Sequence, residues 1–272
     1  MDPTIIRLGL PKGRMQEEVL GLLHDAGIRL TFGRRGYRPQ ISLDGFDAKL
    51  LKPQNVAEML HVGSRDLGFA GADWVAELGL DLVELMDTRL DPVRIVAAAD
   101  PAFDPKAGRF RVATEYQRLT EAWLRDEGFD GRVVRTFGAT EVFPPEDADC
   151  VVDNTATGET LRANGLHIFA TLMQSSTRLY AAPRALEDPA KRREIENFTM
   201  LCRAVLDARR RVMIEANVPA DRLDAVVAVL PGMGSPTVAH LAGGEGYAVK
   251  AAVARSELPV LIPRIKEAGG SD

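Results

Sequence analysis

The sequence is poor in the residues that mark disulfide-rich and metal-bound proteins. Its 272 residues include only two cysteines and four histidines. Cys150 and Cys202 each lie in an apolar run, which indicates buried free thiols and a reducing compartment. The histidines share no metal-ligand spacing with one another or with the cysteines, so the sequence argues against a structural zinc site.

Several motifs and long apolar runs are also missing. The chain has no Gly-x-Ser-x-Gly elbow and no Gly-x-x-x-x-Gly-Lys-Ser/Thr loop, so serine-hydrolase and P-loop chemistry have no sequence support. No segment approaches the roughly 18 apolar residues of a membrane span, and the N-terminus lacks a basic segment followed by an apolar one. We therefore expect a cytoplasmic protein with no membrane partner.

The composition is that of a mildly acidic globular protein. Apolar residues make up 46% of the chain, the formal net charge is −5, and the sequence pI is about 5.5. This balance gives no general attraction to nucleic acid, so any anionic ligand must be held by local basic groups. The length is sufficient for two or three domains with buried cores.

Short apolar runs alternate with amphipathic stretches through the first two thirds of the chain. The pairs are residues 5–10 with 15–26, 66–70 with 73–78, 110–114 with 116–127, and 150–153 with 159–164. Such alternation predicts an α/β fold with parallel strands. Turn-forming residues at 89–92 and 106–108 flank a strand predicted at 93–99, which indicates a crossing between two lobes and a ligand cleft between them.

The C-terminal third has a different pattern. Residues 187–211 are predicted to form one long helix with Pro189 in its first turn. The chain then shows a strand at 212–218, a helix at 220–230, strands at 236–240 and 247–253, and a helix at 257–268. This β-α-β-β-α order predicts a ferredoxin-like module without its closing strand.

Residues 149–161 carry the most informative local pattern: an apolar strand, an acid at its end, and a small, hydroxyl-rich turn that opens a helix near Gly158. Backbone N–H groups between Thr155 and Thr160 can converge on a phosphate, aided by the helix dipole. Asp153 can accept hydrogen bonds from hydroxyl groups beside that phosphate, so the pattern predicts a ribose-5-phosphate site. The alternative is a capped turn, in which Thr155 or Thr157 pairs with free helix N–H groups.

Two further strand ends carry polar residues. Lys12 and Arg14 follow the first strand and suit a pyrophosphate or a nucleotide phosphate, with a solvated surface turn as the alternative. Residues 68–74 form another strand, glycine turn and helix start. Asp73 fits the helix N-cap, and Trp74 fits core packing better than base stacking.

Glu141 lies 12 residues before Asp153, so two acids from adjoining loops could face one ribose. The alternative is a capping glutamate in a short helix. Arg89, Asp91 and Arg94 bracket the expected lobe crossing, where surface salt bridges are the simplest local interpretation.

Taken together, these motifs resemble the ATP phosphoribosyltransferase family over nearly the whole chain. The resembling runs are residues 10–14, 66–74, 89–91, 112–116, 138–141, 153–166 and 230–237. Residues 153–166, which end in Thr-Leu-Arg-Ala-Asn-Gly-Leu, are highly specific. Residues 230–237 resemble the long form of the family, which carries its own histidine-sensing domain.

The resemblance implies a two-lobed body like the type II periplasmic binding proteins, followed by a ferredoxin-like (ACT-like) regulatory domain. Lobe I would comprise residues 1–91 and 178–210, lobe II residues 92–177, and the regulatory domain residues 211–272, apparently lacking its last strand. It implies a glycosyltransferase that joins ATP to 5-phosphoribosyl 1-pyrophosphate with magnesium (Mg2+), in the first step of histidine biosynthesis. Histidine as inhibitor, AMP as a further ligand, and a homo-oligomer between dimer and hexamer are also implied.

The resemblance assigns residues to four groups. The catalytic set is Asp153, Glu141, Lys12 and Arg14. The phosphoribosyl pyrophosphate set is Asp153, Thr155, Ala156, Thr157, Gly158, Glu159 and Thr160. The nucleotide set is Arg14, Gly71, Asp73, Asp91 and Arg94. The histidine set is Asn217, Met233, Ser235, Pro236 and Thr237. No side chain is assigned to magnesium, which pyrophosphate would mainly hold.

Two other functions fit parts of the pattern. The same two-lobed fold serves as a non-catalytic ligand sensor, although a sensor does not need a site for a pyrophosphate-activated sugar. A phosphoribosyltransferase for another base is the second alternative, because adenine selectivity comes from the resemblance alone. The family's long form continues past residue 272 into a final strand, so two outcomes stay open: an enzyme that histidine inhibits, and an active enzyme that does not respond to histidine.

Overall fold

The computed structural model describes residues 5–33, 36–231 and 235–271. The chain forms two compact units, Met1–Arg203 and Ala204–Asp272. The elements up to the end of the first unit are β1 (Ile6–Pro11), α1 (Arg14–Asp25), β2 (Leu30–Thr31), β3 (Gln40–Ile41), β4 (Phe46–Leu51), α2 (Pro53–His61), β5 (Leu67–Gly71), α3 (Ala72–Leu78), β6 (Val83–Ala99), β7 (Phe110–Thr114), α4 (Gln117–Glu127), β8 (Gly131–Arg135), β9 (Cys150–Thr155), α5 (Glu159–Ala163), β10 (His167–Ala181), α6 (Pro183–Glu187) and α7 (Pro189–Arg210).

The first unit is built on an eight-stranded sheet of order β4-β1-β5-β10-β6-β9-β7-β8. The β4-β1-β5 and β9-β7-β8 flanks are parallel, as the alternating pattern predicts. The centre of the sheet differs from the prediction, because β10 runs antiparallel to β5 and β6, and β6 runs antiparallel to β9. The sheet is therefore mixed, and its two parallel flanks are joined through β6 and β10.

The central pair of strands is long and irregular. β6 has 17 residues and β10 has 15, and β6 continues through residues 89–92, where the sequence predicts a turn. Arg89 and Asp91 have positive φ values of 57° and 48°, close to register shifts in the pairing of β6 with β10. Bulges of this kind bend a strand and re-aim its side chains without ending it.

Apolar faces of the helices cover the sheet. In α1, Met15, Val19, Leu22 and Leu23 are buried, which is the spacing of one helical face. The long helix predicted at 187–211 is present as α7 (Pro189–Arg210). Its start is set by Asp188, which adopts an extended conformation between the end of α6 and Pro189. Steric contact with the proline ring disfavours a helical residue at that position.

The second unit has the predicted ferredoxin-like order: β11 (Arg211–Val218), α8 (Leu223–Val229), β12 (Thr237–His240), β13 (Tyr247–Ala254) and α9 (Leu258–Glu267). Its sheet order is β11-β13-β12, with antiparallel pairing throughout. One face is packed in a core that includes Ala216, Val218, Val249 and Val253. At the free edge of β11, Asn217 and Ser271 exchange two backbone hydrogen bonds of 2.8 and 2.9 Å.

Candidate active site

The predicted phosphate turn is present, and we call residues 155–160 the phosphate loop. It follows β9 and leads into α5, with Gly158 in the left-handed conformation at φ 78° directly before the helix. Thr155 Oγ1 accepts a 2.8 Å hydrogen bond from the Gly158 N–H, and Thr157 Oγ1 accepts a 3.3 Å bond from the Glu159 N–H. These bonds agree with the capped-turn interpretation, because the two N–H groups have internal partners, and phosphate binding stays a prediction.

The helix after the loop matches its predicted range of 159–164 to within one residue. α5 has only five residues, so its dipole is weak, and the polar groups of this turn are chiefly the loop's own N–H and hydroxyl groups. Arg162, which the sequence analysis did not single out, donates from Nη1 to the Thr157 carbonyl over 3.0 Å. Its position one helical turn after Gly158 is the signal that could have identified it.

Three carboxylates interact at the end of β9. Asp153 is half-buried, and its Oδ1 accepts the Asn154 N–H at 2.7 Å. Burial, reinforced by the negative charges of Glu115 and Glu141, raises the pKa of Asp153 to about 6, while the Asn154 N–H bond opposes the shift. The predicted approach of Glu141 to Asp153 is thus present, and Glu115 joins them from the segment after β7.

A polar cavity lies near the ends of β1 and β5 and beside the bulged part of β6 and β10. Its lining includes five predicted residues, Lys12, Arg14, Gly71, Asp73 and Asp91. The Arg14 Nε atom lies 3.3 Å from Asp91 Oδ1, and the Lys12 ammonium lies 5.5 Å from the centre of the Tyr37 ring.

Asp73 is buried and does not act as the helix N-cap. Its Oδ1 accepts a 2.6 Å hydrogen bond from Ser175, and its Oδ2 accepts a 2.7 Å bond from the Tyr116 hydroxyl. Asn154 Nδ2 donates to the same Tyr116 oxygen over 3.0 Å. We call this chain, from Ser175 through Asp73, Tyr116 and Asn154 to Asp153, the Asp73 network.

Tyr116 is the aromatic member of the Asp73 network. Trp74 stacks on Tyr116 with ring centroids 4.9 Å apart, which confirms its packing role. Burial first, and the nearby Asp73 charge second, raise the pKa of Tyr116 well above its usual range, so Tyr116 is a hydrogen-bond donor and not a proton-transfer group. The network links β5–α3 and β10 to β9 on the other flank.

Asp91 and Arg94 have different surroundings. Burial raises the pKa of Asp91, while the charge of Arg14 opposes the shift and the charges of Glu18 and Asp73 add to it. The residues that line the polar cavity do not include Arg94, whose backbone pairs with Thr155 of β9 and Gln174 of β10.

The residues that are predicted to bind histidine lie in the second unit. Thr237 is exposed at the start of β12, and Asn217 lies in β11. Ser235 and Pro236 immediately precede β12. Met233 lies outside the described residues.

In residues 5–33, 36–231 and 235–271, no group of three or more His, Cys, Asp or Glu side chains is arranged to hold a metal ion. Over the same ranges, none of the helices combines the length and apolar character that a bilayer crossing requires.

The first unit is a mixed α/β domain built on one eight-stranded sheet, and a smaller ferredoxin-like unit follows it. The family model for ATP phosphoribosyltransferase matches residues 52–203, and the model for the HisG C-terminal domain matches residues 208–272. The chain therefore belongs to the ATP phosphoribosyltransferase family.

Individual relatives agree with that assignment. A protein named ATP phosphoribosyltransferase from Pelotomaculum thermopropionicum is 37% identical over 277 residues, covering 98% of this chain and 96% of the relative. One of the same name from Chlorobium phaeovibrioides is 35% identical over 274 residues, covering 97% and 93%.

A solved structure supports the fold. The ATP phosphoribosyl transferase (HisG:HisZ) complex from Thermotoga maritima contains a chain similar to this one, with a TM-score of 0.68 and 24% identity. The match covers 75% of this chain and 100% of that chain.

Proposed function

We propose that this protein joins ATP to 5-phosphoribosyl 1-pyrophosphate, producing N1-(5-phosphoribosyl)-ATP and pyrophosphate in the first step of histidine biosynthesis. The observation that carries the proposal is the pairing of the phosphate loop with the Asp153 carboxylate at the end of one strand. In the same unit, the polar cavity contains two cations, Lys12 and Arg14. Family membership supports the same reaction.

The phosphate loop and its neighbouring acids would bind the phosphoribosyl group. The Thr155 and Thr157 hydroxyl oxygens accept internal N–H bonds, so their protons remain available to a phosphate. We assign the 5-phosphate to residues 155–160, with the exposed Thr160 hydroxyl as a further donor. Asp153 and Glu141 would accept hydrogen bonds from the ribose hydroxyls.

The polar cavity would hold the nucleotide. Lys12 and Arg14 would offset phosphate or pyrophosphate charge, while Gly71, Asp73 and Asp91 line the same space. Arg94, the fifth residue of the nucleotide set, would act from outside that lining, beside the phosphate loop.

In the reaction, the adenine N1 lone pair forms a bond to the anomeric carbon as the bond from that carbon to pyrophosphate breaks. Positive charge develops on the ribose ring in the transition state, and the carboxylates of Asp153 and Glu141 would stabilise it. Holding both substrates in line contributes a further large part of the acceleration. We nominate no general base.

Magnesium fits this site as a partner of the substrate. Burial, together with the negative charges of Glu115 and Glu141, raises the pKa of Asp153, and a nearby cation would offset these charges. Magnesium is commonly bound by one or two carboxylates together with substrate phosphates. When bound to pyrophosphate, it would offset the charge of the leaving group.

We further propose that histidine inhibits the enzyme through the second unit. Asn217 and Thr237 lie on the sheet face opposite the apolar core, because their pairing partners Ala248 and Lys250 alternate with the buried Val249. Polar groups on this open face suit an amino acid ligand. AMP as a further ligand and a homo-oligomer of two to six chains are carried over from the family resemblance.

One experiment tests the reaction against the alternatives. Purified protein would be mixed with ATP, phosphoribosyl pyrophosphate and magnesium, and phosphoribosyl-ATP would be measured by its absorbance and mass. A parallel reaction would replace ATP with other bases and nucleotides. Binding of both ligands without product would favour the non-catalytic sensor, and product with another base alone would favour the other transferase.

A further inference from the structure

The polar cavity contains a run of three hydroxyl residues from β10, and two of them already have partners. Ser175 Oγ donates to Asp73 Oδ1 over 2.6 Å and accepts the Asp73 N–H at 3.0 Å. Ser176 Oγ donates to Asp87 Oδ1 over 2.7 Å. Both side chains are therefore used in holding β10 to α3 and to β6.

The third hydroxyl, that of Thr177, is unpaired. Thr177 is 1% exposed and lines the cavity, yet its Oγ1 has no hydrogen-bond partner in the part of the chain that the structure describes. A buried hydroxyl without a partner costs stability, so such groups are rare and call for an explanation. Because Thr177 lines the cavity, a ligand bound there would be able to supply the missing partner.

The surroundings indicate which part of a ligand this is. A neutral hydroxyl both donates and accepts, and it gives no charge to a phosphate, for which Lys12 and Arg14 are the better partners. The cavity lining also contains the apolar side chains of Met15, Pro53 and Val93. A cavity with both apolar and polar walls and one unpaired hydroxyl suits a nucleobase, which is flat, apolar on its faces and polar at its edge.

We propose that the Thr177 hydroxyl hydrogen-bonds to the edge of the adenine ring and helps to select the base. This inference rests on the proposed function, because it takes ATP to be the ligand of the cavity. Since adenine N1 must face the ribose, the bond would go to one of the remaining polar atoms of the ring: the 6-amino group, N7 or N3.

The test compares Thr177→Val with Thr177→Ser, which keeps the hydroxyl. We expect Thr177→Val to weaken ATP binding roughly tenfold, the value of one neutral hydrogen bond, and to leave phosphoribosyl pyrophosphate affinity unchanged in calorimetric titrations. Thr177→Ser should stay near wild type. Because Val replaces an unpaired hydroxyl with a methyl group, the free Thr177→Val protein should unfold at an equal or higher temperature.

Thr199→Val is the matched control. Thr199 is also buried, but its hydroxyl donates to the Ile195 carbonyl within α7 over 2.7 Å, and Thr199 does not line the cavity. Its replacement should lower stability and leave ATP affinity unchanged. Lower affinity for both substrates in Thr177→Val, or lower stability of the free variant, would assign Thr177 a structural role and overturn the inference.

ATP analogues test the contact itself. With 7-deaza-ATP, 3-deaza-ATP and the 6-unsubstituted purine nucleotide, the analogue that lacks the contacted atom should bind wild type and Thr177→Val equally. The same ratio of affinities for ATP and all three analogues would overturn the inference. If the wild-type protein failed to form phosphoribosyl-ATP, that result would count against the proposed function. If the enzyme were active and Thr177→Val bound ATP as wild type does, the result would count against this inference alone.

Discussion

Replacing Asp153 with asparagine should make the protein more stable and less active. Burial and the neighbouring Glu115 and Glu141 carboxylates raise the pKa of Asp153 from 3.8 to about 6 in the folded state. A raised carboxyl pKa means that the folded state binds the proton more tightly than the unfolded state does. The ionised form therefore costs stability: the cost is absent below about pH 4, grows up to about pH 6 and is constant above it.

The magnitude follows from that shift. About two pKa units correspond to at most ~3 kcal/mol, and the partial exposure of Asp153 reduces our expectation to ~1–2 kcal/mol. Asp153→Asn removes the charge and keeps the shape, so it should gain this amount at pH 7–8 and nothing near pH 4. Turnover should fall tenfold or more, about 1.4 kcal/mol, because the variant loses a carboxylate that would stabilise the transition state.

Tryptophan fluorescence during urea unfolding is the suitable assay, because the chain's two tryptophans, Trp74 and Trp123, both lie in the first unit. The wild-type and variant proteins would be compared at intervals from pH 4 to pH 8. The stability gain should grow with pH. A variant that is less stable than wild type at pH 8, or a difference that does not change with pH, would refute the argument.

Asp149→Asn is a control from the same segment with the opposite sign. Burial alone would raise the pKa of Asp149, but the backbone N–H and guanidinium of Arg111 lower it below its usual value. Its ionised form therefore favours folding above about pH 4. This variant should lose stability at pH 7–8 and keep its turnover. If removing a negative charge had a general effect on stability, both variants would change stability in the same direction.

Three further changes test other parts of the structure. Gly158→Val should abolish phosphoribosyl pyrophosphate binding in calorimetry while unfolding stays cooperative, because φ is 78° and a new Cβ would lie 3.1 Å from Arg162 Nη1. Asp66→Asn should destabilise the first unit by about 3 kcal/mol in urea above pH 4, because it breaks the buried pairing with Arg7 and Lys191. Burial raises the pKa of Asp66, but the bonds from Arg7 and Lys191 outweigh it and lower this pKa to about 2. The loss of stability should therefore fade as the pH falls towards 2. Thr237→Val should weaken histidine inhibition in turnover assays without altering uninhibited turnover.

The parts of the fold that were predictable from sequence are local. β7 at Phe110–Thr114 matches its predicted range because a short apolar run follows the turn-forming residues 106–108 closely and precedes an amphipathic stretch. The phosphate loop was predictable for the same reason, since its strand, its small residues and its helix are consecutive. The pairing of β6 with β10 was not, because it joins residues about 70 to 100 positions apart and contains several register shifts.

Strand β10 shows why a functional strand is difficult to recognise. Residues 174–177, Gln-Ser-Ser-Thr, interrupt its apolar pattern and look like a loop in sequence. In the structure, three of these residues line the polar cavity. The loss of periodicity in the sequence therefore coincides with the part of β10 that faces the cavity.

Gly71 has a structural role that local sequence does not reveal. The family resemblance assigns Gly71 to the nucleotide set, which stays a prediction, and in the structure Gly71 lines the polar cavity. A Cβ at this position would lie 2.2 Å from Asp73 Oδ1, so the glycine leaves room for the buried carboxylate. That carboxylate is fixed by Ser175, 102 residues further on, and by Tyr116, 43 residues further on. Local sequence therefore predicts which residues face the site, whereas the hydrogen bonds that orient them depend on tertiary pairing and can be found only in the structure.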